Sequence, residues 1–318
     1  MFLSPRIPEG VVKMETVRRA VALYFAAILL TCICGKTGDN RDQQKPVFKV
    51  GVDTVFLKVS VTDPLNRNVT GLSKEDFKVY EDKVQQEISS FAQESSPVSV
   101  GILLDRSASM KTNNNIQSAR AALSDFLKEG KPEDEFFLIA FNQEAALVKD
   151  FTQNLNSILA ESGILQPSGQ TAIWDAVYRG LDKMKAAKNE KKALILITDG
   201  EDNSSRYSTS EVREFAKESD AQIYAIGEPG ELGYGPSEIE NVVRLTGGRA
   251  FFPNNLNSLD YYIDLIHSEL RNEYVMGYVP THKEHDGKWR KIQVKLDQPK
   301  GLPKLTVRAK EGYYSSKN

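Results

Sequence analysis

Four segments of the chain are apolar almost without interruption: Val98–Asp105 (VSVGILLD), Asp134–Phe141 (DEFFLIAF), Lys191–Asp199 (KKALILITD) and Ala221–Gly227 (AQIYAIG). A strand with one wet face alternates apolar and polar residues, so a continuous run belongs to a strand covered on both faces. Helix-period segments separate most of these runs. Ile116, Ala119, Leu123, Phe126 and Leu127 recur at helical spacing, as do Ile173, Val177, Leu181 and Met184. Further helices are expected around Glu211–Ser219, Glu238–Leu245 and Leu259–Asn272, and a fifth apolar run at Gly248–Phe252 (GRAFF). Strands alternating with helices predict an α/β fold: a doubly wound, mainly parallel sheet with helices on both faces. The segment AALVKD, soon after the second run, predicts an antiparallel edge hairpin.

Both flanks of this region read as short strands. Before it stand VFKVGV, VFLKVSVTD, FKVYED and QEISSF; after it stand EYVMGYV, KIQVKL and LTVRA, with the Asp-Gly of HDGKW expected to turn the chain between the first two of these. In FLKVSVT the alternation suits a sheet with one wet face. Residues 47–95 and 273–316 are each small for a core of their own. The first strand of the α/β region begins, and its last helix ends, at the same pole. The two flanks are therefore expected to pair into one flanking composite β-domain, leaving 97–272 as the α/β domain.

The N-terminus is of another kind. Arg18 and Arg19 precede the apolar run Ala20–Cys34, and polar sequence follows at once. That is the pattern of a secretory signal, too short for a spanning helix of about 20 residues. Residues 1–34 are read as a signal peptide, 35–46 as a linker, and the mature protein as exported: periplasmic, cell-surface or secreted, with no membrane span. LLTC resembles a lipoprotein cleavage box, with Thr31 where a smaller residue is usual, which makes Cys32 a candidate lipid anchor. Both cysteines, Cys32 and Cys34, lie in this segment, so no disulfide framework is expected beyond it. The formal net charge of −2 offers no basic field for nucleic acid.

Chemistry enters where the apolar runs end. Ligands of open α/β sheets bind at the carboxyl ends of the strands. Asp105 closes one run and Asp199 another, so two carboxylates reach one edge, an arrangement that is costly without a counter-charge. Ser107 and Ser109 follow Asp105 in DRSAS, and Thr171 stands in PSGQTAIWDA where a Gly-containing loop meets a helix start. A hard oxygen set of this kind suits Mg²⁺, with Mn²⁺ or Ca²⁺ as alternatives, and not a thiolate-seeking metal.

DRSAS, GQTA and TDG, in that order, resemble the metal-ion-dependent adhesion site of von Willebrand factor A domains, and the resemblance runs from about Val98 to His267. It implies metal ligation by Asp105, Ser107, Ser109, Thr171 and Asp199, with the aspartates binding directly or through water. Ala108 departs from the glycine common at its position. VTGLSKEDFKVYED before the domain, and NEYVMGYVP, DGKWRKIQVKL and VRAKEGYY after it, are similar to exported bacterial VWFA-related domain proteins.

The resemblance implies a non-enzymatic protein-binding module, for adhesion or assembly, in which an acidic side chain of a protein partner completes the metal's shell. The alternatives are a Mg²⁺-dependent hydrolase using metal-bound water, or a structural cell-envelope protein with a vacant site. No general base near the five residues supports the hydrolase. The loop IGEPGELGYGPSE is longer than a usual strand-to-helix connection and makes Tyr234 a candidate partner contact. Glu201 and Asp202, just past Asp199, are the others. No phosphate-binding loop motif is present, and the histidines lack metalloprotease spacing.

Overall fold

The computed structural model describes residues 54–93, 95–227, 235–254, 256 and 259–317. The expected signal peptide with Cys32, the linker and the strand VFKVGV lie outside the described residues. So does Tyr234.

The first flank forms four strands: β1 (Val55–Thr62), β2 (Phe77–Glu81), β3 (Val84–Gln86) and β4 (Ile88–Gln93). Asp82 and Lys83, at φ 46° and 72°, make the tight turn from β2 to β3, the paired positive φ that two-residue hairpins demand. In β1, Leu57, Val59 and Val61 are buried in the β core. The opposite face is wet only at its outer end, where Phe56 is 41% exposed and Lys58 is half-buried. Ser60 and Thr62 are buried too, and Lys58 Nζ donates to the carbonyls of Glu190 and Asp220 at 3.0 and 3.4 Å. Lys58 thus meets polar groups at the base of the α/β part, and the Thr62 hydroxyl accepts from Arg308 at 3.3 Å.

The α/β part runs β5 (Val98–Asp105), α1 (Asn115–Lys128), β6 (Glu135–Phe141), β7 (Ala145–Thr152), α2 (Leu155–Ile164), α3 (Ile173–Met184), β8 (Lys191–Thr198), α4 (Thr209–Glu218), β9 (Gln222–Gly227), α5 (Gly235–Leu245), β10 (Ala250–Phe251) and α6 (Leu259–Arg271). The sheet order is β10-β9-β8-β5-β6-β7, parallel except for β7, which runs antiparallel to β6 at the edge. All residues of β5 and β6 are buried. One face carries Val100, Ile102 and Leu104 against α1 and α6; the other carries Leu103 and Leu194 against α3 and its neighbours. Gly101 has no room for a side chain, since a Cβ there would stand 2.2 Å from the Phe137 ring.

One helix, α2, is not foreseen by the periodicity. Only Ile158 and Ser162 of it are buried, so its apolar pattern is faint. Its start is marked instead by Asn154, whose side chain accepts the Ser157 N–H at 3.3 Å.

The second flank supplies β11 (Tyr274–Tyr278), β12 (Trp289–Leu296), β13 (Thr306–Ala309) and β14 (Gly312–Tyr314). These interleave with the first flank in two antiparallel sheets, β13-β1-β11-β4 and β14-β12-β2-β3. Val59 pairs with Tyr274 on one side and with Ala309 on the other. Phe77, Phe91 and Tyr274 cluster with ring centroids 5.2–5.6 Å apart. Fully buried Glu81 accepts hydrogen bonds from Tyr278 at 2.7 Å and Tyr313 at 3.0 Å. β11 and β12 lie in different sheets, so the Asp-Gly of HDGKW does not close a hairpin between them. Asp286 instead turns the chain by accepting the Lys288 N–H at 3.0 Å, with Gly287 at φ +69°.

The two parts meet over buried charge. Lys191 (3% exposed) pairs with Glu273 (0%) at 3.1 Å, and Arg308 with Glu269 at 2.9 Å. Such pairs contribute little net stability when intact, but breaking one strands a buried charge.

Candidate metal centre

β5 and β8 are adjacent and parallel, with Leu104 opposite Ile197, so their carboxyl ends deliver Asp105 and Asp199 to one edge. Asp105 is fully buried. Its Oδ1 accepts the Ser107 N–H at 2.6 Å and its Oδ2 accepts the Thr198 hydroxyl at 2.6 Å. Burial pushes this carboxyl up to about 6 against those hydrogen bonds, and the charge of Asp199 adds to the rise.

The hydroxyls of Ser107 and Ser109 stand 2.9 Å apart, and Ser109 donates to Asp199 Oδ1 at 2.7 Å. Asn115, at the first position of α1, donates its amide to Asp199 Oδ2 at 2.8 Å. Thr171 is buried, and its hydroxyl faces the same spot: a Cβ built on Gly200 would lie 3.6 Å from Thr171 Oγ1 and 3.7 Å from Ser109 Oγ. The structure thus brings Asp105, Ser107, Ser109, Thr171 and Asp199 together.

Backbone bonds lace the three loops that carry them. Ala108 N–H donates to Gly169 at 3.0 Å and Ser168 N–H to Arg106 at 2.8 Å. Thr171 O accepts from Asn203 and Ser204 at 2.9 and 3.1 Å, while its own N–H donates to Asn203 Oδ1 at 2.9 Å. Gly169, at φ +80°, packs so closely under Gln143 that a Cβ would overlap that side chain.

The donor set fits a hard divalent cation. It offers two carboxylates and three neutral hydroxyls. Among the described residues no lysine, arginine or histidine forms an ion pair with Asp105 or Asp199. Nor do three or more His, Cys, Asp or Glu side chains gather into a cation cage among them; any ion here would rest on hydroxyls as much as on carboxylates.

Asp202 has a structural task. Its Oδ1 accepts the N–H groups of Ile173 and Trp174 at 2.8 and 3.4 Å, and Ser205 Oγ accepts those of Trp174 and Asp175 at 2.9 and 3.2 Å. The N-terminus of α3, whose own N-cap is Ala172, is therefore capped from the next loop. Glu201 is half-buried and lines, with Trp174 and Glu238, a cavity of about 410 Å³ beside the edge. Sequence reasoning missed Thr198 and Asn115 as holders of the two carboxylates. Thr198 was signalled only by its place before Asp199, and Asn115 only by the unusual run Asn113–Asn115.

Residues 100–201 match the family model for the von Willebrand factor type A domain. The chain carries a von Willebrand factor type A domain. The A domain is similar to inter alpha-trypsin inhibitor heavy chain 4 of Mus musculus, 31% identical over 126 residues, which is 35% of this chain and 13% of that protein. The chain therefore matches only a small part of the length of that relative. Among solved structures it is similar to a von Willebrand factor type A protein from Catenulispora acidiphila, with TM-score 0.48, 15% identity, and coverage of 81% of this chain and 73% of that one. It is also similar to the vWF domain of the type V pili tip protein Mfa5 from Porphyromonas gingivalis, with TM-score 0.43, 16% identity, and coverage of 54% and 95%. A domains commonly mediate protein–protein interaction or adhesion. No helix among the described residues is long and apolar enough to cross a membrane.

Proposed function

We propose that the A domain binds a protein partner through a divalent cation, Mg²⁺ being the ion that fits best, and that the protein is an exported adhesion or assembly module without catalytic activity. Asp105, Ser107, Ser109, Thr171 and Asp199 would hold the ion. When bound, it supplies a positively charged, oxygen-seeking position for an acidic side chain of the partner. The chain's own part is to pre-set five oxygen-bearing side chains at the end of the sheet, with the three loops fastened to each other. Glu201 flanks this edge and, with Tyr234, is a candidate for partner selection. The N-terminal signal pattern supports export to the periplasm, cell surface or medium.

The single observation that carries the reading is the pair Asp105 and Asp199. These two carboxylates, at the ends of adjacent strands, are linked through the Ser107 N–H and the hydroxyls of Ser107 and Ser109, and among the described residues no lysine, arginine or histidine forms an ion pair with either. Isothermal titration of the purified chain with MgCl₂ and MnCl₂ tests it. One ion per chain is expected for wild type and none for folded Asp105→Ala or Asp199→Ala. A folded wild-type chain that takes up neither ion would end the proposal.

A further inference from the structure

We propose that Asn115 is a positioning residue of the metal centre, setting Asp199 for the ion through its side-chain amide. The inference rests on the metal-binding reading above and adds a group outside the five-residue set.

The run KTNNN has a different use for each asparagine. Asn113 and Asn114 lie at φ 51° and 59°, left-handed backbone that asparagine accepts more readily than most side chains. They turn the chain sharply into α1. Neither serves as an ordinary cap; Asn114, at the N-cap, makes no side-chain capping hydrogen bond. Asn115 is thereby fixed at the first helical position, 1% exposed, with its amide 2.8 Å from Asp199 Oδ2.

Among the described residues two side chains donate to Asp199: Ser109 on Oδ1 and Asn115 on Oδ2. Ser109 belongs to the proposed ligand set and Asn115 does not. Asn115 is the donor whose role does not change when an ion is held, and it leaves Oδ1 facing the hydroxyls. Asp105 is treated alike, with Thr198 holding its Oδ2 from outside the set. An amide suits the task because it donates without charge. An aspartate here would place a third carboxylate beside two that already repel, and an alanine would remove the donor on Oδ2, leaving Asp199 held by Ser109 on Oδ1. Groups that orient metal ligands typically affect affinity by roughly 10–100-fold.

The test is Mg²⁺ and Mn²⁺ affinity of the full chain, by isothermal titration, in Asn115→Ala and Asn115→Leu. Alanine removes both bulk and donor, and is a good helix former that keeps α1 intact; leucine returns the bulk without the donor. Melting temperatures are read without added metal. The expected result is affinity about 10-fold weaker or more in both variants, with metal-free melting temperatures close to wild type. Wild-type affinity in either folded variant overturns the proposal, and recovery by leucine in particular would reduce Asn115 to a packing role. Wild type and Asp199→Ala are titrated alongside. No ion on wild type fails the metal reading itself; a bound ion lost in Asp199→Ala but kept in the Asn115 variants fails only the inference.

Discussion

Thr198 and Asp105, at the ends of neighbouring parallel strands, are both buried, and the threonine hydroxyl donates to the carboxylate at 2.6 Å. Thr198→Val keeps the shape and removes the donor. A hydrogen bond to a charged group is worth about 1.5–3 kcal/mol, so urea unfolding without metal should show a loss in that range. A loss below about 0.5 kcal/mol would mean that Asp105 finds its support elsewhere.

Asp202 caps a helix that begins on another loop, so the partner-binding role considered for it and its structural role can be separated. Asp202→Ala should cost about 1 kcal/mol, and Asp202→Asn, an equally good cap, much less. If both variants bind partner like wild type, Asp202 acts only through α3. Loss of partner binding in the stable Asp202→Asn variant would make its charge a contact.

Lys310 donates to the Ser219 carbonyl at 2.5 Å at the base of the A domain. Burial pulls its ammonium down to about 8; Asp220 opposes the shift and Lys58 adds to it. Below pH 8 both folded and unfolded chains carry the charge, and the fold bears the full penalty. Between pH 8 and the ordinary 10.5 the folded chain releases its proton first, so stability rises with pH through this window. The gap corresponds to at most about 3 kcal/mol, and solvent around this half-buried group reduces it to about 1–2 kcal/mol. Lys310→Met should flatten the rise when unfolding free energies at pH 7 and pH 10 are compared; an equal rise in the variant would assign it to other groups.

Glu81 is held by one tyrosine from each β sheet. Tyr278→Phe leaves a fully buried carboxylate with Tyr313 as its remaining hydrogen-bond donor among the described residues. Guanidinium unfolding should show about 1.5–3 kcal/mol lost. Glu81→Gln added to Tyr278→Phe should cost less than the sum of the two single changes, and simple additivity would refute the contact.

The parallel sheet is legible in the sequence because its strands are covered on both sides, which leaves runs such as VSVGILLD with no polar alternation. Helix α2 is not, because Ile158 alone of its apolar side chains is buried while Ile164 is 71% exposed. Ser60 and Thr62 on the polar face of β1 read as wet, and are buried, because alternation reports side-chain type and not what covers it. The gathering of Asp105, Ser107, Ser109, Thr171 and Asp199 at one edge is legible because each closes or follows a recognisable element. Asn115 and Thr198 are not, since their roles depend on neighbours across α1, β5 and β8 that no local spacing reveals.

The interleaved strands also bear on how the molecule is made. β1 lies between β11 and β13, with Val59 flanked by Tyr274 and Ala309, so the earliest described strand to leave the ribosome receives its neighbours last. The intervening α/β sheet can close while β1 still offers open edges and an apolar face. Closing so long a loop adds little to the equilibrium cost, but the exposed interval lengthens with every residue synthesised. A chain cut short before β13 would keep a folded α/β sheet joined to a β1 paired with β11 but open on its other edge, the kind of edge that recruits copies of itself into aggregates.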